Sequence, residues 1–268
     1  MTVRFVLVHG LRTSHSMWRQ QVEALVAAGI PSVTVDLPGH GARIGQSFTA
    51  DAAVAAIVDG VAEARAIDAQ AGPVVLVGLS LGGFMSMETV GRHPDLVDGL
   101  VAIGCSTRPF RLGLAVYRNW SVALSRLPDH GLALDEAATR LVLGRQAAVD
   151  VLSGGYGIAE SATAVAAVAD LDPLESVATA ADAGLPIWFV NGQLDQFRLE
   201  EHRFLAAARG SQLTVVPGAT HMVNLAKPAA VSRVLLAIAE TTDDRDDRRR
   251  WRCSESEKSD SLSAPARC

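Results

Sequence analysis

The segment Val74–Gly83, VVLVGLSLGG, decides the fold because it contains an apolar strand, a sharp turn and the start of a helix. Its serine, Ser80, stands between Gly78 and Gly82. A strand that turns this sharply into a helix leaves no room for side chains, so glycine is needed on both sides of the turn. The central serine is then held in a strained backbone conformation with its hydroxyl pointing outward, as in the Gly-x-Ser-x-Gly nucleophile elbow. In a chain with 23 glycines the pattern also arises by chance, so a nucleophilic Ser80 depends on the surrounding pattern.

Length and composition limit the class of protein. The 268 residues allow one large domain, or one domain with an inserted subdomain. Hydrophobic residues make up 49% of the chain and the net charge is −5, which argues against a nucleic-acid partner. We find no apolar run of about 18 residues, so no membrane span is expected. Three cysteines without metal-site or disulfide spacing predict a reduced, cytoplasmic protein with no metal and no cofactor.

Strand and helix signals alternate along most of the chain. Residues 1–104 and 172–240 show short apolar runs separated by helical periodicity, which predicts an α/β core with a mostly parallel sheet and helices on both faces. Residues 105–171 lack a strand pattern and are predicted to form a helical cap inserted into this core. Residues 241–268 are too polar to bury much apolar surface and are predicted to be a disordered tail.

A serine nucleophile needs a base and a group that orients the base. In a parallel sheet these groups gather beyond the carboxyl ends of the strands. Asp195 follows the predicted strand at 187–190, and His221 follows the strand at 213–216. The chain order Ser80, Asp195, His221 is the order of a nucleophile-elbow hydrolase, so these three residues are the candidate catalytic triad. Asp36 also follows a strand, but it precedes the nucleophile and is better interpreted as a turn residue.

Backbone N–H groups are the expected donors to the oxyanion of a tetrahedral intermediate, because they are fixed before the reaction begins. One donor should be Leu81, at the start of the helix after Ser80. The other should lie in the loop after the first strand, where we favour Leu11. Gly10 would let the backbone approach the substrate closely.

These residues together give the chain a resemblance to the α/β-hydrolase superfamily, in the branch of small serine esterases, enol-lactonases and cofactor-free haloperoxidases. The stretches that match, in chain order, are Val8–Gly10, Met17–Trp18, Asp36–Gly41, Gly78–Gly83, His93–Pro94, Gly192–Asp195, Gly218–His221 and Pro228. The resemblance implies an α/β-hydrolase fold, structural roles for His9 and His40, and a position near the substrate pocket for Trp18. Because the nucleophile is serine rather than aspartate, an acyl-serine intermediate is expected, unlike that of dehalogenases and epoxide hydrolases.

Two departures from the family pattern bear on the shape of the pocket. Thr220 stands where a glycine often precedes the catalytic histidine. The loop Leu11–Ser16 lacks the additional glycines that are common there.

The predicted cap leaves the substrate open. Phe110, Tyr117 and Trp120, with Trp18, are candidates for an apolar pocket, although cap aromatics also serve as core. Three arginines either anchor a carboxylate or are exposed on a helix; they are Arg108, Arg111 and Arg118. Cys105 either lines the site or is a small buried residue.

The favoured function is hydrolysis of a small carboxylic ester or lactone by a serine hydrolase, with no partner beyond this small molecule and with the oligomeric state left open. The same triad also suits a cofactor-free haloperoxidase or perhydrolase, a thioesterase or a C–C hydrolase. An alternative of another class is a ligand-binding module with little turnover.

Overall fold

A parallel sheet forms the centre of the molecule, as the alternating sequence pattern predicts. The computed structural model describes residues 2–67, 72–109, 122–123, 126–127, 131–155, 157 and 160–243. The strands pair in the order β2-β1-β3-β4-β5-β6, and every pairing is parallel. They are β1 (Arg4–Val8), β2 (Ser32–Val35), β3 (Val74–Leu79), β4 (Gly99–Ile103), β5 (Ile187–Gly192) and β6 (Gln212–Val216).

Helices connect the strands and cover the sheet. A short 3₁₀ helix, His15–Trp18, precedes the first α-helix, and the last helix, α10, covers residues 228–243. The others are α1 (Arg19–Ala27), α2 (Ala50–Ala66), α3 (Leu81–Arg92), α4 (Leu132–Leu143), α5 (Arg145–Leu152), α6 (Ser161–Ala169), α7 (Pro173–Asp182), α8 (Glu201–Ala207) and α9 (Val223–Ala226).

The core consists of two hydrophobic clusters, one on each face of the sheet. Successive side chains of a strand point to opposite faces, so β1 sends Val6 and Val8 into one cluster and Phe5 and Leu7 into the other. The first cluster includes apolar residues of α2, α3 and α7, whereas the second includes residues of α1 and α10. Helices therefore cover both faces, and the predicted α/β core with a parallel sheet is confirmed.

The strand order places a crevice between β1 and β3. The chain runs from β1 outward to β2 and then returns to β3 on the other side of β1. The loops that follow β1 and β3 leave the sheet in opposite directions from this point, which is where α/β sheets bind ligands. Gly10 follows β1 and Ser80 follows β3, and a Cβ at Gly10 would lie 3.7 Å from the Cβ of Ser80.

The predicted cap region contains helices and, in its described part, no strand. Helices α4, α5 and α6 lie between β4 and α7 in the chain. Within the described ranges, none of the helices combines the length and the apolar character needed to cross a bilayer.

The predicted start of the tail at residue 241 is too early. Helix α10 continues through residue 243, and the hydroxyls of Thr241 and Thr242 donate to the carbonyl of Ile238 at 3.0 and 2.7 Å. The Asp243 carboxylate accepts the N–H of Val3 at 2.9 Å, so these polar residues are held by helix contacts and by a contact with the other end of the described chain, which composition does not reveal. The remainder of the predicted tail, 244–268, lies outside the described residues.

Candidate active site

Ser80 occupies a sharp turn between β3 and α3. Its backbone has φ 54° and ψ −114°, a conformation that is strained for any residue with a side chain. Both flanking glycines are required by the close approach of strand and helix. A Cβ at Gly78 would lie 2.3 Å from the carbonyl oxygen of Gly82, and a Cβ at Gly82 would lie 2.4 Å from that of Val8. The Ser80 N–H donates to the carbonyl of Ile103 at 2.8 Å, which ties the turn to β4.

The structure brings Ser80, His221 and Asp195 together in one hydrogen-bonded chain. His221 Nε2 lies 2.9 Å from Ser80 Oγ, and His221 Nδ1 lies 3.0 Å from Asp195 Oδ1. A carboxylate only accepts hydrogen bonds, so Nδ1 carries the proton in the neutral ring and Nε2 is free to accept the serine hydroxyl. The Asp195 side chain is fully buried, whereas 19% of the His221 side chain is exposed. This arrangement can remove a proton from Ser80 as its oxygen attacks a carbonyl carbon.

The loops that carry the acid and the base are joined to each other. The N–H of Asp195 donates to Gly192 at 3.1 Å, and the N–H of Leu194 donates to Ala219 at 2.9 Å. A Cβ at Gly192 would lie 2.3 Å from the carbonyl oxygen of Thr220, so only glycine lets these loops approach. The N–H of Phe197 adds a 2.8 Å hydrogen bond to Asp195 Oδ1, which fixes the carboxylate. The relative position of acid and base therefore follows from backbone contacts.

Both predicted oxyanion donors lie beside Ser80. Leu81 is the first residue of α3, where backbone N–H groups have no partner within the helix. Leu11 lies in the loop after β1, and both residues line the same cavity as Ser80. Neither N–H donates a hydrogen bond to another residue in the described part of the chain. Both are available to a ligand.

The carboxylate of Asp36, the alternative acid, is occupied by hydrogen bonds to nearby loop residues. Its carboxylate accepts the N–H of His15 at 2.7 Å, His15 Nδ1 at 2.8 Å and the N–H of Ala42 at 2.8 Å. Burial would raise the pKa of Asp36, but these hydrogen bonds outweigh it and hold the pKa below its usual value. Asp36 therefore serves to join the loops after β1 and β2.

A cavity of about 440 Å³ opens in front of Ser80. Its walls are mostly apolar, with polar groups at Thr107, Arg108 and Gln196. A larger groove of about 730 Å³ lies between α2, α3, α6 and α7 and contains none of the triad residues, so the smaller cavity is the candidate substrate site. The apolar side chains that line it are Leu11, Leu81, Phe84, Pro109, Val165, Val168, Phe197, Leu199 and Met222.

Sequence reasoning placed Trp18 near the pocket, but the structure places it in the core. Its side chain is fully buried, and it belongs to the cluster beneath β1 that also contains Met17 and Leu25. The 3₁₀ helix turns Trp18 toward the sheet, so it does not line the cavity. The other predicted pocket residues, Phe110, Tyr117 and Trp120, lie outside the described residues.

Arg108 lines the cavity and is paired with an acid. Its guanidinium donates to Glu200 at 2.8 Å, and this hydrogen bond lowers the pKa of Glu200 to about 2. Arg111 and Arg118, the other candidate carboxylate anchors, lie outside the described residues. Cys105 is fully buried, and burial raises the pKa of its thiol well above the usual range. It is a small core residue behind the site.

Several residues at the site were missed by sequence reasoning, among them Phe197, Met222 and Gly104. Phe197 packs against His221 with ring centroids 4.6 Å apart and the rings tilted by 46°, and Met222 follows His221 in the chain; both line the cavity. Gly104 follows β4 with φ 63° and lies against Asp195. A glycine directly after a strand was the only signal for it.

A family model described as "Alpha/beta hydrolase family" matches residues 5–234. The chain belongs to the alpha/beta hydrolase family. The chain is 36% identical over 104 residues to the pimeloyl-[acyl-carrier protein] methyl ester esterase of Neisseria meningitidis, a match that covers 39% of the chain. The match spans only 35% of that esterase.

A longer match is to esterase PIR7B of Oryza sativa subsp. japonica, at 26% identity over 259 residues, which covers 88% of this chain and 95% of PIR7B. Among solved structures, a carboxylesterase of Nitrososphaera gargenis superposes with a TM-score of 0.76 at 16% identity, covering 91% and 92% of the two chains. At that identity the superposition shows the fold alone.

Proposed function

We propose that this protein is a serine hydrolase that cleaves a small carboxylic ester or lactone through an acyl-serine intermediate. The observation that carries the proposal is the continuous hydrogen-bonded chain from Ser80 Oγ through His221 to Asp195, with distances of 2.9 and 3.0 Å. Each distance is within the range needed for proton transfer. The chain ends at a strained serine beside an apolar cavity.

The first half of the reaction acylates the serine. Ser80 Oγ attacks the carbonyl carbon of the ester while His221 Nε2 takes its proton, and Asp195 stabilises the imidazolium that forms. The carbonyl oxygen becomes an oxyanion that accepts hydrogen bonds from the N–H groups of Leu11 and Leu81. When the tetrahedral intermediate collapses, the carbon–oxygen bond to the alcohol breaks, and His221 returns the proton to the departing alkoxide.

The second half releases the acid. A water molecule gives a proton to His221 and attacks the acyl carbon, and the bond to Ser80 breaks as the serine takes the proton back. With a lactone, the alcohol remains attached to the acyl group, and a hydroxy acid is released in one piece. The cavity volume of about 440 Å³ lies within the usual range of small-molecule sites.

The proposal is tested with a serine-directed fluorophosphonate and a panel of short aryl esters, lactones and thioesters. We expect the probe to label Ser80, and Ser80→Ala to lose both labelling and turnover. Ser176→Ala is the matched control, because the Ser176 hydroxyl contacts Glu88 at 3.3 Å in the larger groove, away from the triad. Undiminished ester hydrolysis by Ser80→Ala would overturn the proposal.

The same panel separates the alternatives. Faster cleavage of thioesters than of esters would identify a thioesterase, and peroxide-dependent halogenation that exceeds hydrolysis would identify a haloperoxidase. Cleavage of carbon–carbon bonds in diketone substrates would identify a C–C hydrolase. Stoichiometric labelling of Ser80 by an ester with very slow release would instead identify a binding module.

A further inference from the structure

The carbonyl oxygen of Gly10 is held by several donors although it lies outside regular secondary structure. His9 Nδ1 and Thr13 Oγ1 each approach it at 2.7 Å, and the N–H of Thr13 adds a longer contact of 3.4 Å. The turn that brings Thr13 back to Gly10 contains Arg12 at φ 63°, a conformation uncommon for a residue with a side chain. Such a conformation persists where the surrounding contacts determine it.

The direction of the His9 hydrogen bond is fixed by its second ring nitrogen. His9 Nε2 accepts the N–H of Leu37 at 3.0 Å, so the proton of the neutral ring is on Nδ1 and points at the Gly10 carbonyl. Burial lowers the pKa of His9 to about 3, which keeps the ring neutral at ordinary pH. The Thr13 hydroxyl also lies 3.1 Å from Met17 Sδ, but a thioether is a weak acceptor and the single hydroxyl proton goes to the carbonyl oxygen at 2.7 Å. His9 and Thr13 are therefore two donors to one oxygen.

Anchoring this oxygen also orients the next N–H group. The described backbone contains no cis peptide bond, and in a trans peptide the C=O and the following N–H point in opposite directions. With the Gly10 oxygen held on one side, the N–H of Leu11 is directed to the other side, where Leu11 lines the cavity with Ser80. The N–H of Gly10 itself is engaged by Met17 Sδ at 3.3 Å. Of Gly10 and Leu11, the two loop residues that line the cavity, Leu11 is thus the one whose N–H is left for a ligand.

We propose that Thr13 is a positioning residue for the oxyanion hole, because its hydroxyl holds the Gly10–Leu11 peptide in the orientation that presents the Leu11 N–H to the substrate. The inference rests on the proposed function. The loop lacks the additional glycines expected of it, and a side-chain hydroxyl fixes its backbone. Thr13 is 4% exposed and does not line the cavity, so it acts through Leu11 rather than by touching substrate.

The test compares Thr13→Val, which removes the hydroxyl at nearly constant volume, with Thr13→Ser, which keeps it. Thr242→Val is the matched control, since Thr242 is also buried and donates to a backbone carbonyl at 2.7 Å, but in α10. We expect kcat/KM for a short aryl ester to fall about tenfold in Thr13→Val and to recover in Thr13→Ser, with Thr242→Val at the wild-type level.

Two inhibitors separate positioning from a general loss of structure. A trifluoromethyl ketone forms an oxyanion on Ser80, whereas the corresponding secondary alcohol fills the cavity without one. In Thr13→Val the inhibition constant of the ketone should rise by the same factor as kcat/KM falls, and that of the alcohol should not change.

Equal ketone binding by Thr13→Val and wild type would overturn the inference, as would equal weakening of both inhibitors. A Thr13→Ser variant as impaired as Thr13→Val would overturn it too, because the hydroxyl would then be irrelevant. The proposed function has its own readout in the same experiment. Wild-type protein that a fluorophosphonate leaves unlabelled at Ser80 would overturn the proposed function and this inference with it, whereas labelled wild type with unaffected Thr13→Val overturns the inference alone.

Discussion

Gly104 lies against Asp195 so closely that a Cβ at Gly104 would be 3.1 Å from Asp195 Oδ2. The same Cβ would be 3.3 Å from the Nδ1 and Cε1 atoms of His221. Asp195 Oδ2 is buried and has no hydrogen-bond donor among the described residues, so the glycine backbone is what covers this oxygen. The backbone at the end of β4 therefore packs against Asp195 and His221, which lie in the loops after β5 and β6.

Gly104→Ala should reduce turnover by displacing His221 and Asp195. We expect kcat for an aryl ester to fall roughly tenfold to a hundredfold with little change in KM, because misplacing the base affects the reacting geometry. Steady-state kinetics of wild type and variant gives both kcat and KM. Gly184→Ala is the control, because Gly184 has a similar backbone angle, φ 88°, with nothing within 4 Å of its Cβ position. If both variants lost the same activity, backbone strain and not the contact with the pair would be responsible.

Asp195→Asn should preserve the shape of the site and remove its charge. The asparagine amide can no longer stabilise the imidazolium or enforce the Nδ1–H tautomer of His221, so kcat should fall on the order of 10³–10⁴-fold. Asp172→Asn provides the comparison, since Asp172 caps α7 through its Oδ1 and asparagine caps equally well. Asp195→Asn with nearly full turnover would show that another acid orients His221.

Acid should destabilise the fold through His9. Its pKa is lowered to about 3 by burial and by His40, against 6.5 for the free side chain. The unfolded chain therefore binds a proton as pH falls below about 6.5 while the folded chain does not, so stability is complete above pH 6.5 and decreases toward pH 3. Urea unfolding at pH 7, 5 and 4 should show this decline in wild type and a shallower one in His9→Gln. His202→Gln, at an exposed position in α8, should retain the wild-type slope.

Asp150, in α5, accepts hydrogen bonds from side chains of α1 and so holds the two helices together. Its carboxylate is fully buried and accepts Arg19 Nε at 2.6 Å, Gln20 Nε2 at 2.8 Å and Gln146 Nε2 at 3.2 Å. Asp150→Asn removes a buried negative charge and replaces one acceptor oxygen by an NH2 group that faces other donors, so it should lower the free energy of unfolding by about 1–3 kcal/mol. Asp182→Asn breaks an exposed pair with Arg209 and should cost less than about 1 kcal/mol. Equal urea midpoints for the two variants would contradict the role of Asp150.

The sheet could be predicted from sequence because its determinants are local. Apolar runs of five or six residues alternate with helical periodicity, and the observed strands fall within those runs. The position of Ser80 follows from the glycines at 78 and 82. A Cβ atom added at either glycine would overlap the backbone of neighbouring elements. Asp195 and His221 could be proposed because the carboxyl ends of parallel strands meet at one edge of the sheet.

What could not be predicted depends on contacts between distant segments. Trp18 was expected at the pocket, but its aromatic side chain suits a core position equally well, and only the tertiary structure decides. The buried Asp150 pairs with Arg19, 131 positions away, which no local pattern indicates. The left-handed backbone of Gly104 and the hydroxyl contact of Thr13 are likewise invisible in the residue pattern.

At position 80 the residue that the proposed reaction requires differs from the residue that would make the fold most stable. Its positive φ costs roughly 1–3 kcal/mol for a residue with a side chain, and glycine would remove most of that cost. Over most of that range the gain exceeds the roughly 0.5–1 kcal/mol that glycine loses through the greater freedom of the unfolded chain. An inactive Ser80→Gly variant should therefore unfold at a higher urea concentration than the active protein. Selection for stability alone would remove the proposed nucleophile.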